Sequence, residues 1–270
     1  MLKQVTDQMH RTISVPDSPQ RIVSLVPSQT ELLHWLGCSN EVVGQTLFCI
    51  HPKNMHQSKP RIGGTKTLSL AKIENLHPDL VIGNKEENSK DQIETLALQY
   101  PVWMSDIQDL NEALAMIEQI GSLVNKESQA KQLVDQIKTS FTQLVPIAPT
   151  TVLYLIWRKP WMAAGAQTFI GDMLGRMGLQ NGCTSTRYPE LSNDDIRTIN
   201  PQHIFLSSEP YPFKEKHIEE LKLLVPNATI TLVDGELFSW YGSRLQYAAN
   251  YFQQLIHAIS PQSLDLPTHS

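Results

Sequence analysis

Three groups of side chains in this chain could carry chemistry. Cys49, His51 and His56, with the adjacent acids Glu86 and Glu87, are the residues that could ligate a divalent metal. Their spacing matches no closed zinc pattern, and neighbouring acids on a loop are ordinarily solvated. The second group is aromatic: Phe48, Trp103, Trp157, Trp161, Tyr188, Tyr211, Phe213, Phe238, Trp240 and Tyr241 fall near the ends of apolar segments. Flat rings bury large areas at small entropic cost and stack on planar conjugated ligands. Trp103 and Trp157 end apolar strands and read as core, whereas Trp161, Tyr188, Trp240 and Tyr241 sit among polar, Gly or Pro neighbours and read as facing a ligand. The third group is Arg158, Lys159, Arg187 and Arg244, any of which could meet a carboxylate or phosphate. Lys159 reads equally well as solvated. Arg244 opens a helix, where a cation opposes the macrodipole unless it reaches for something.

Catalytic signatures are missing. The chain has no G-x-G-x-x-G after a strand, no phosphate-binding loop and no G-x-S-x-G, and no Ser/His/Asp set declares itself. We therefore expect a protein that is not an enzyme, with no catalytic residues, no metal ligands and no cofactor of its own.

Strands and helices alternate along the chain. An apolar run at Arg21 to Val26 leads through Pro27 into a helix capped by Ser28 or Thr30, with Leu32, Leu33, Trp35 and Leu36 on its buried face. Further strands are expected at 42–44, 80–83 and 102–104 and helices at 69–75, 90–98 and 110–124, with 47–59 as loop. Alternation of this kind argues for parallel sheet with helices on its faces. Glu127 to Leu144 carries Ala130, Leu133, Val134, Ile137, Phe141 and Leu144 at three- and four-residue spacing with no Gly or Pro inside. Such a helix spans roughly 27 Å at 1.5 Å per residue, enough to join two lobes. After Pro146 and Pro149 a second alternation runs through strands at 151–157, 203–206 and 229–233 and helices at 169–177, 194–198, 214–224 and 244–259. The expected organisation is an N-terminal lobe at 1–125, a connecting helix at 126–146, a C-terminal lobe at 147–260 and a flexible tail at 261–270.

The halves also share a motif. LSLAKIENLHPDLVIG at 68–83 aligns with LSNDDIRTINPQHIFL at 191–206, each a Ser-capped short helix, a stopping Pro and an apolar strand. Its recurrence half a chain apart favours duplication.

Composition narrows the partners. With 41% hydrophobic and 18% charged residues the chain reads as globular, and a net charge of −5 with scattered Lys and Arg gives no footprint for nucleic acid. Three widely spaced cysteines suggest small buried thiols rather than a disulfide frame. Met1 to Val15 is polar, unlike a secretory leader, and no apolar stretch reaches the ~20 residues of a membrane helix. With Met1 as the native start, the expected location is the cytoplasm.

Taken in order, VTDQMHRTISVPDSPQRIVSLVPSQTELLHWLG, IENLHPDLVIG, the single long helix, RTINPQHIFL and FSWYGSRL resemble the cobalamin- and iron-siderophore-binding components of ABC importers, the helical-backbone metal receptors. The resemblance covers nearly the whole chain. It implies an α/β fold of two Rossmann-like lobes with mainly parallel sheets, joined by one long backbone helix, and a monomer that does no chemistry on its ligand. The ligand is a metal chelate (corrinoid, haem or ferric siderophore) held in a cleft between lobes, and the partner is an ABC-transporter permease. Phe48, Trp161, Tyr188, Phe238, Trp240, Tyr241 and Arg244 are the ligand-binding residues expected on this basis, with Trp161, Tyr188 and Phe238 at positions where the cobalamin-binding proteins carry ligand-facing aromatics. Thr65 stands where those proteins have a cleft Trp. The family docks on its transporter through an acid early in each repeat helix. Asp194 is that acid here, whereas Ala71 occupies the matching position in the first half. Family role places the protein in the periplasm. Direct divalent-metal binding and a cytoplasmic chelate-trafficking role without an importer are the competing readings.

Overall fold

The computed structural model describes residues 1–260, and the expectation for the tail at 261–270 lies outside them. The chain divides into two compact units, the first comprising Met1–Thr139 with Ser239–Gln246, the second Ser140–Phe238 with the chain from Tyr247 on.

The first unit opens with a hairpin that no sustained hydrophobic alternation announces, β1 (Leu2–Thr6) paired antiparallel with β2 (Thr12–Pro16). There follow β3 (Ile22–Ser24), α1 (Pro27–Trp35), β4 (Val42–Gln45), α2 (Lys53–Ser58), α3 (Leu70–Asn75), β5 (Leu80–Asn84), α4 (Lys90–Ala97), β6 (Val102–Ser105), α5 (Leu110–Leu123) and α6 (Glu127–Thr142). Its main sheet has the order β4-β3-β5-β6, every pairing parallel. All of β5 and β6 is buried, as strands covered on both faces must be. On α6, Ala130, Leu133, Val134 and Ile137 are buried, the stripe read from spacing. The division between the units falls inside this helix.

The second unit contains β7 (Thr150–Trp157), β8 (Trp161–Ala163), α7 (Phe169–Arg176), β9 (Leu179–Asn181), β10 (Glu190–Leu191), α8 (Asn193–Ile199), β11 (His203–Ser207), α9 (Glu215–Lys222), β12 (Thr229–Val233), α10 (Gly235–Ser239) and α11 (Leu245–Ile259). Its sheet runs β10-β8-β7-β11-β12 with β9 beside β7. The pairings among β7, β9, β11 and β12 are parallel, and β8 and β10 add antiparallel edges.

Several local expectations change. Ser28 and Thr30 lie inside α1 rather than capping it, because Val26 is the N-cap and Pro27 supplies a first-turn φ without a surplus N–H. Part of 47–59 is helical, as α2, whose only buried residue is Met55. The duplicated motif persists as α3–β5 and α8–β11. His77 and Asn200, each just before the stopping proline, adopt matching left-handed φ values of 44° and 43°. The Ser caps differ: Ser192 accepts from Asp195 N in a full capping box, while Ser69 makes no side-chain cap bond.

His203 opens β11 at 8% exposure, and its Nδ1 has no hydrogen-bond partner among the described residues. Burial pushes its pKa below the ordinary 6.5. The unfolded chain therefore takes up a proton that the folded one resists, so this contribution to stability is complete above that value and is lost on acidification below it. The urea midpoint is expected to fall between pH 7.5 and pH 5.5 by less in His203→Leu than in the parent, and an unchanged pH profile would remove His203 as a cause.

Candidate functional site

Parallel α/β sheets present ligands to the loops at the carboxyl ends of their strands. In the first unit these loops follow β4 and β5. Gln45 Nε2 donates to Cys49 O at 2.9 Å, which curls the loop after β4 back on the sheet. Cys49 turns inward, where its Sγ meets the hydroxyls of Thr30 and Thr46, each at 3.1 Å. Leu47, Phe48 and Ile50 are left outward, with Phe48 58% exposed. After β5, Asn84 Oδ1 accepts from the N–H groups of Glu86 (2.9 Å) and Glu87 (3.1 Å), a tight turn that positions both acids.

Residues 239–246, from the end of α10 into the start of α11, belong to this unit although the chain on either side belongs to the other. Gly242 is required there: a Cβ would stand 2.6 Å from Ser28 O at the start of α1. Arg244 forks onto Glu31 of α1, Nε to Oε2 at 3.1 Å and Nη2 to Oε1 at 2.6 Å, while its guanidinium lies 4.7 Å from the Trp240 ring centroid. Trp240 meets His51 edge to face at 5.6 Å, and Tyr241 donates to the Glu87 carboxylate. Of the expected ligand-binding residues, Trp240, Tyr241 and Arg244 thus gather here beside the loop that carries Phe48. Trp240 and Tyr241 are each 6% exposed and serve mainly as packing.

In the second unit β7 ends on Trp157, and Arg158 opens the turn that follows. Arg158 forks onto Glu220 of α9, with Nε to Oε2 at 3.0 Å and Nη2 to Oε1, and sits 4.1 Å from the Trp161 centroid. The hydrogen bonds from Arg158 hold the Glu220 carboxyl below its usual range and raise the guanidinium, so the pair stays ionised at neutral pH. Trp161 is buried, stacked on Phe213 at 6.2 Å with its Nε1 donating to Asn193 Oδ1 at 3.0 Å. The outward ring is Trp157, read from sequence as core; it is exposed and meets Tyr211 at 5.6 Å. Period-two alternation cannot tell the last residue of a strand from the first of a loop. Tyr188 is half-buried just ahead of Pro189, whose carbonyl accepts from Ala163 N at 3.1 Å. Phe238 is fully buried against Tyr154 (5.0 Å), Phe205 (6.2 Å) and Phe252 (4.6 Å) in the interior of this unit.

The residues considered for a metal are otherwise engaged. His56 shares Nδ1 with Cys49 O and Nε2 with Arg61, and burial raises the Cys49 thiol. Cys38 and Cys183 are buried and free as well, with Cys38 pushed up to about 11. Among the described residues, no three His, Cys, Asp or Glu side chains come together in a group that could hold a metal ion. Asp194 stands 91% exposed in the first turn of α8, bonded to Arg197 at 2.6 Å, and Ala71 is exposed in α3. A groove of about 330 Å³ in the first unit, lined by Arg11, Ile13, Ser14 and residues 97–102, lies at the amino end of β6 and contains none of the expected residues.

Residues 22–223 match the family described as Periplasmic binding protein. The chain is 28% identical over 213 residues to an uncharacterized ABC transporter substrate-binding lipoprotein of Bacillus subtilis (strain 168), covering 74% of this chain and 67% of that one. It is 22% identical over 255 residues to the vitamin B12-binding protein of Pectobacterium carotovorum subsp. carotovorum (strain PC1), covering 91% of each. The periplasmic heme-binding protein of Vibrio cholerae shares the fold, with a TM-score of 0.75 and 21% identity over 88% of this chain and 99% of that one. The α/β architecture with parallel sheets is therefore shared with that solved structure, and the family match covers well over half of the sequence. This chain belongs to the periplasmic binding protein family.

Proposed function

We propose that this protein is the substrate-binding component of an ABC importer and that it captures an intact metal chelate, a corrinoid, haem or ferric siderophore, without chemically changing it. The observation that carries the ligand class is the pair of exposed rings, Phe48 in one unit and Trp157 in the other, at the carboxyl ends of parallel strands. Planar chelates offer such rings a face to stack on. The vitamin B12-binding and heme-binding relatives support the same class. Tyr188, Trp240, Tyr241 and Arg244 complete or brace these surfaces; Trp161 and Phe238 support them from within.

Asp194, exposed on α8, is the residue proposed to meet a basic patch on the permease. Family role puts the place of action in the periplasm, and the Bacillus subtilis relative is a lipoprotein. No helix among the described residues is long and apolar enough to cross a membrane.

Tryptophan fluorescence tests the reading. Titration with cobalamin, cobinamide, haemin and ferric siderophores is expected to give saturable quenching by at least one of them in the micromolar range or tighter, about −8 kcal/mol. Silence across the panel would sink the proposal.

A further inference from the structure

The loop after β4 carries three large apolar side chains on its outer side, Leu47, Phe48 and Ile50, and all three are exposed. Apolar surface left in water contributes nothing to the stability of the fold, and a cluster of it on one loop marks a surface that meets a partner. The loop is held in place by other groups. From within, Cys49 Sγ lies between the hydroxyls of Thr30 and Thr46, and the Cys49 carbonyl accepts from Gln45 Nε2. From the side, Leu47 N donates at 2.8 Å to the carbonyl of Gly63, which opens a hairpin closed by an antiparallel bridge between Gly63 and Leu68.

That hairpin is tied in turn to the next loop of the same unit. Asn88 Nδ2 donates to Thr65 O at 3.1 Å, and Lys66 Nζ donates to the Glu86 carbonyl. Gln92 of α4 brackets Leu68, accepting from its N–H at 2.9 Å and donating to its carbonyl at 3.1 Å. Residues 63–68 therefore fasten the Phe48 loop to the turn that carries Glu86 and Glu87, all inside the first unit. The two glycines of the hairpin serve different ends. Gly63 has φ +104°, and a Cβ there would stand 2.3 Å from Thr67 O, so the backbone itself requires it. Gly64 lies outside the left-handed region; the nearest atom to a Cβ there is Phe48 Cε2, at 3.2 Å, followed by Thr67 Oγ1 at 3.4 Å. The hairpin can form without a glycine at 64, but the ring cannot keep its seat.

We propose that Gly64 is a positioning residue for ligand recognition: its bare backbone seats the Phe48 ring, which with Leu47 and Ile50 offers a preset apolar platform to a conjugated face of the ligand. The inference rests on the chelate-binding function proposed above and narrows it to chelates that expose such a face, a macrocycle or a catecholate rather than a hydroxamate. A ring held ready spares the complex the ordering of a loop, and a ring pushed off its seat by a fraction of an ångström loses part of that advantage.

Tryptophan quenching by cobalamin, cobinamide, haemin, ferric enterobactin and ferrioxamine B gives the test, the variants being titrated with whichever probe the parent binds tightest. Gly64→Ala is expected to weaken binding at least about fivefold while its urea midpoint stays close to the parent's. Phe48→Leu lacks the ring edge that the added methyl strikes, so in that background Gly64→Ala is expected to change affinity by less than about 1.5-fold. Gly63→Ala, the control for a backbone requirement, is expected to lower the urea midpoint. A crystal structure of ligand-free Gly64→Ala is expected to show the Phe48 ring displaced and the backbone of 46–51 in place; an unmoved ring overturns the proposal whatever the affinity. Parental affinity in Gly64→Ala, an equal loss with and without the Phe48 ring, or a midpoint as low as that of Gly63→Ala also overturns it. Tightest binding of ferrioxamine B overturns the conjugated-face assignment and leaves chelate binding intact. Absence of binding by all five probes overturns the chelate reading itself, and the inference with it.

Discussion

Phe238→Ala is expected to lower the unfolding free energy by about 3–5 kcal/mol while leaving ligand affinity of the folded protein within about threefold. The ring has no solvent exposure and is wrapped by Tyr154, Phe205, Tyr251 and Phe252. Truncation removes the transfer energy of an aromatic side chain and leaves a cavity that rigid neighbouring rings fill poorly. The family resemblance assigns this position to the ligand, and that role predicts the reverse pattern of lost affinity with little lost stability. Urea denaturation alongside a fluorescence titration separates the two.

Glu31→Ala is expected to cost about 2–3 kcal/mol, because it strands a largely buried guanidinium that now makes two charge-assisted bonds. Arg244→Ala costs a similar amount, part of it through lost packing on Trp240. Since each single change already breaks the pair, the double variant is expected to be little worse than either, giving a coupling energy above about 1 kcal/mol. The exposed Lys90–Glu94 pair, 3.7 Å apart with side chains 84% and 63% exposed, is the control and should couple by no more than about 0.5 kcal/mol. Additive losses at Glu31 and Arg244 would show that residues 239–246 are held to α1 by packing at Gly242 alone.

The fold was legible where one physical signal dominated. The three- and four-residue stripe of α6 and the apolar strands β5, β7 and β11 declare themselves, and the repeated motif marks two corresponding helix–strand units. Weakly patterned segments did not. In α2 only Met55 faces inward, so no periodicity marks it, and the β1–β2 hairpin is nearly all solvated or half-solvated. Spacing singles out Phe48, Trp240, Tyr241, Arg244 and the Glu86–Glu87 pair but not Glu31, the carboxylate onto which Arg244 forks. Glu31 lies 213 positions from Arg244, a distance over which spacing carries no information. A cation at the start of α11, opposed to the helix macrodipole, is the legible trace of that partner. Trp157 is exposed and Trp161 buried, the reverse of what their neighbours suggest, for a similar reason: polar neighbours mark a turn, yet whether a ring points out of it is decided by partners such as Phe213 and Asn193, which come from elsewhere in the chain.

Native mass spectrometry of the protein incubated with corrinoids, haemin and ferric siderophores tests the central claim most directly. The expected result is a single adduct per chain whose mass equals one intact chelate and whose ligand is recovered unaltered after denaturation. Retention of a bare metal ion, or recovery of a chemically changed ligand, would contradict it.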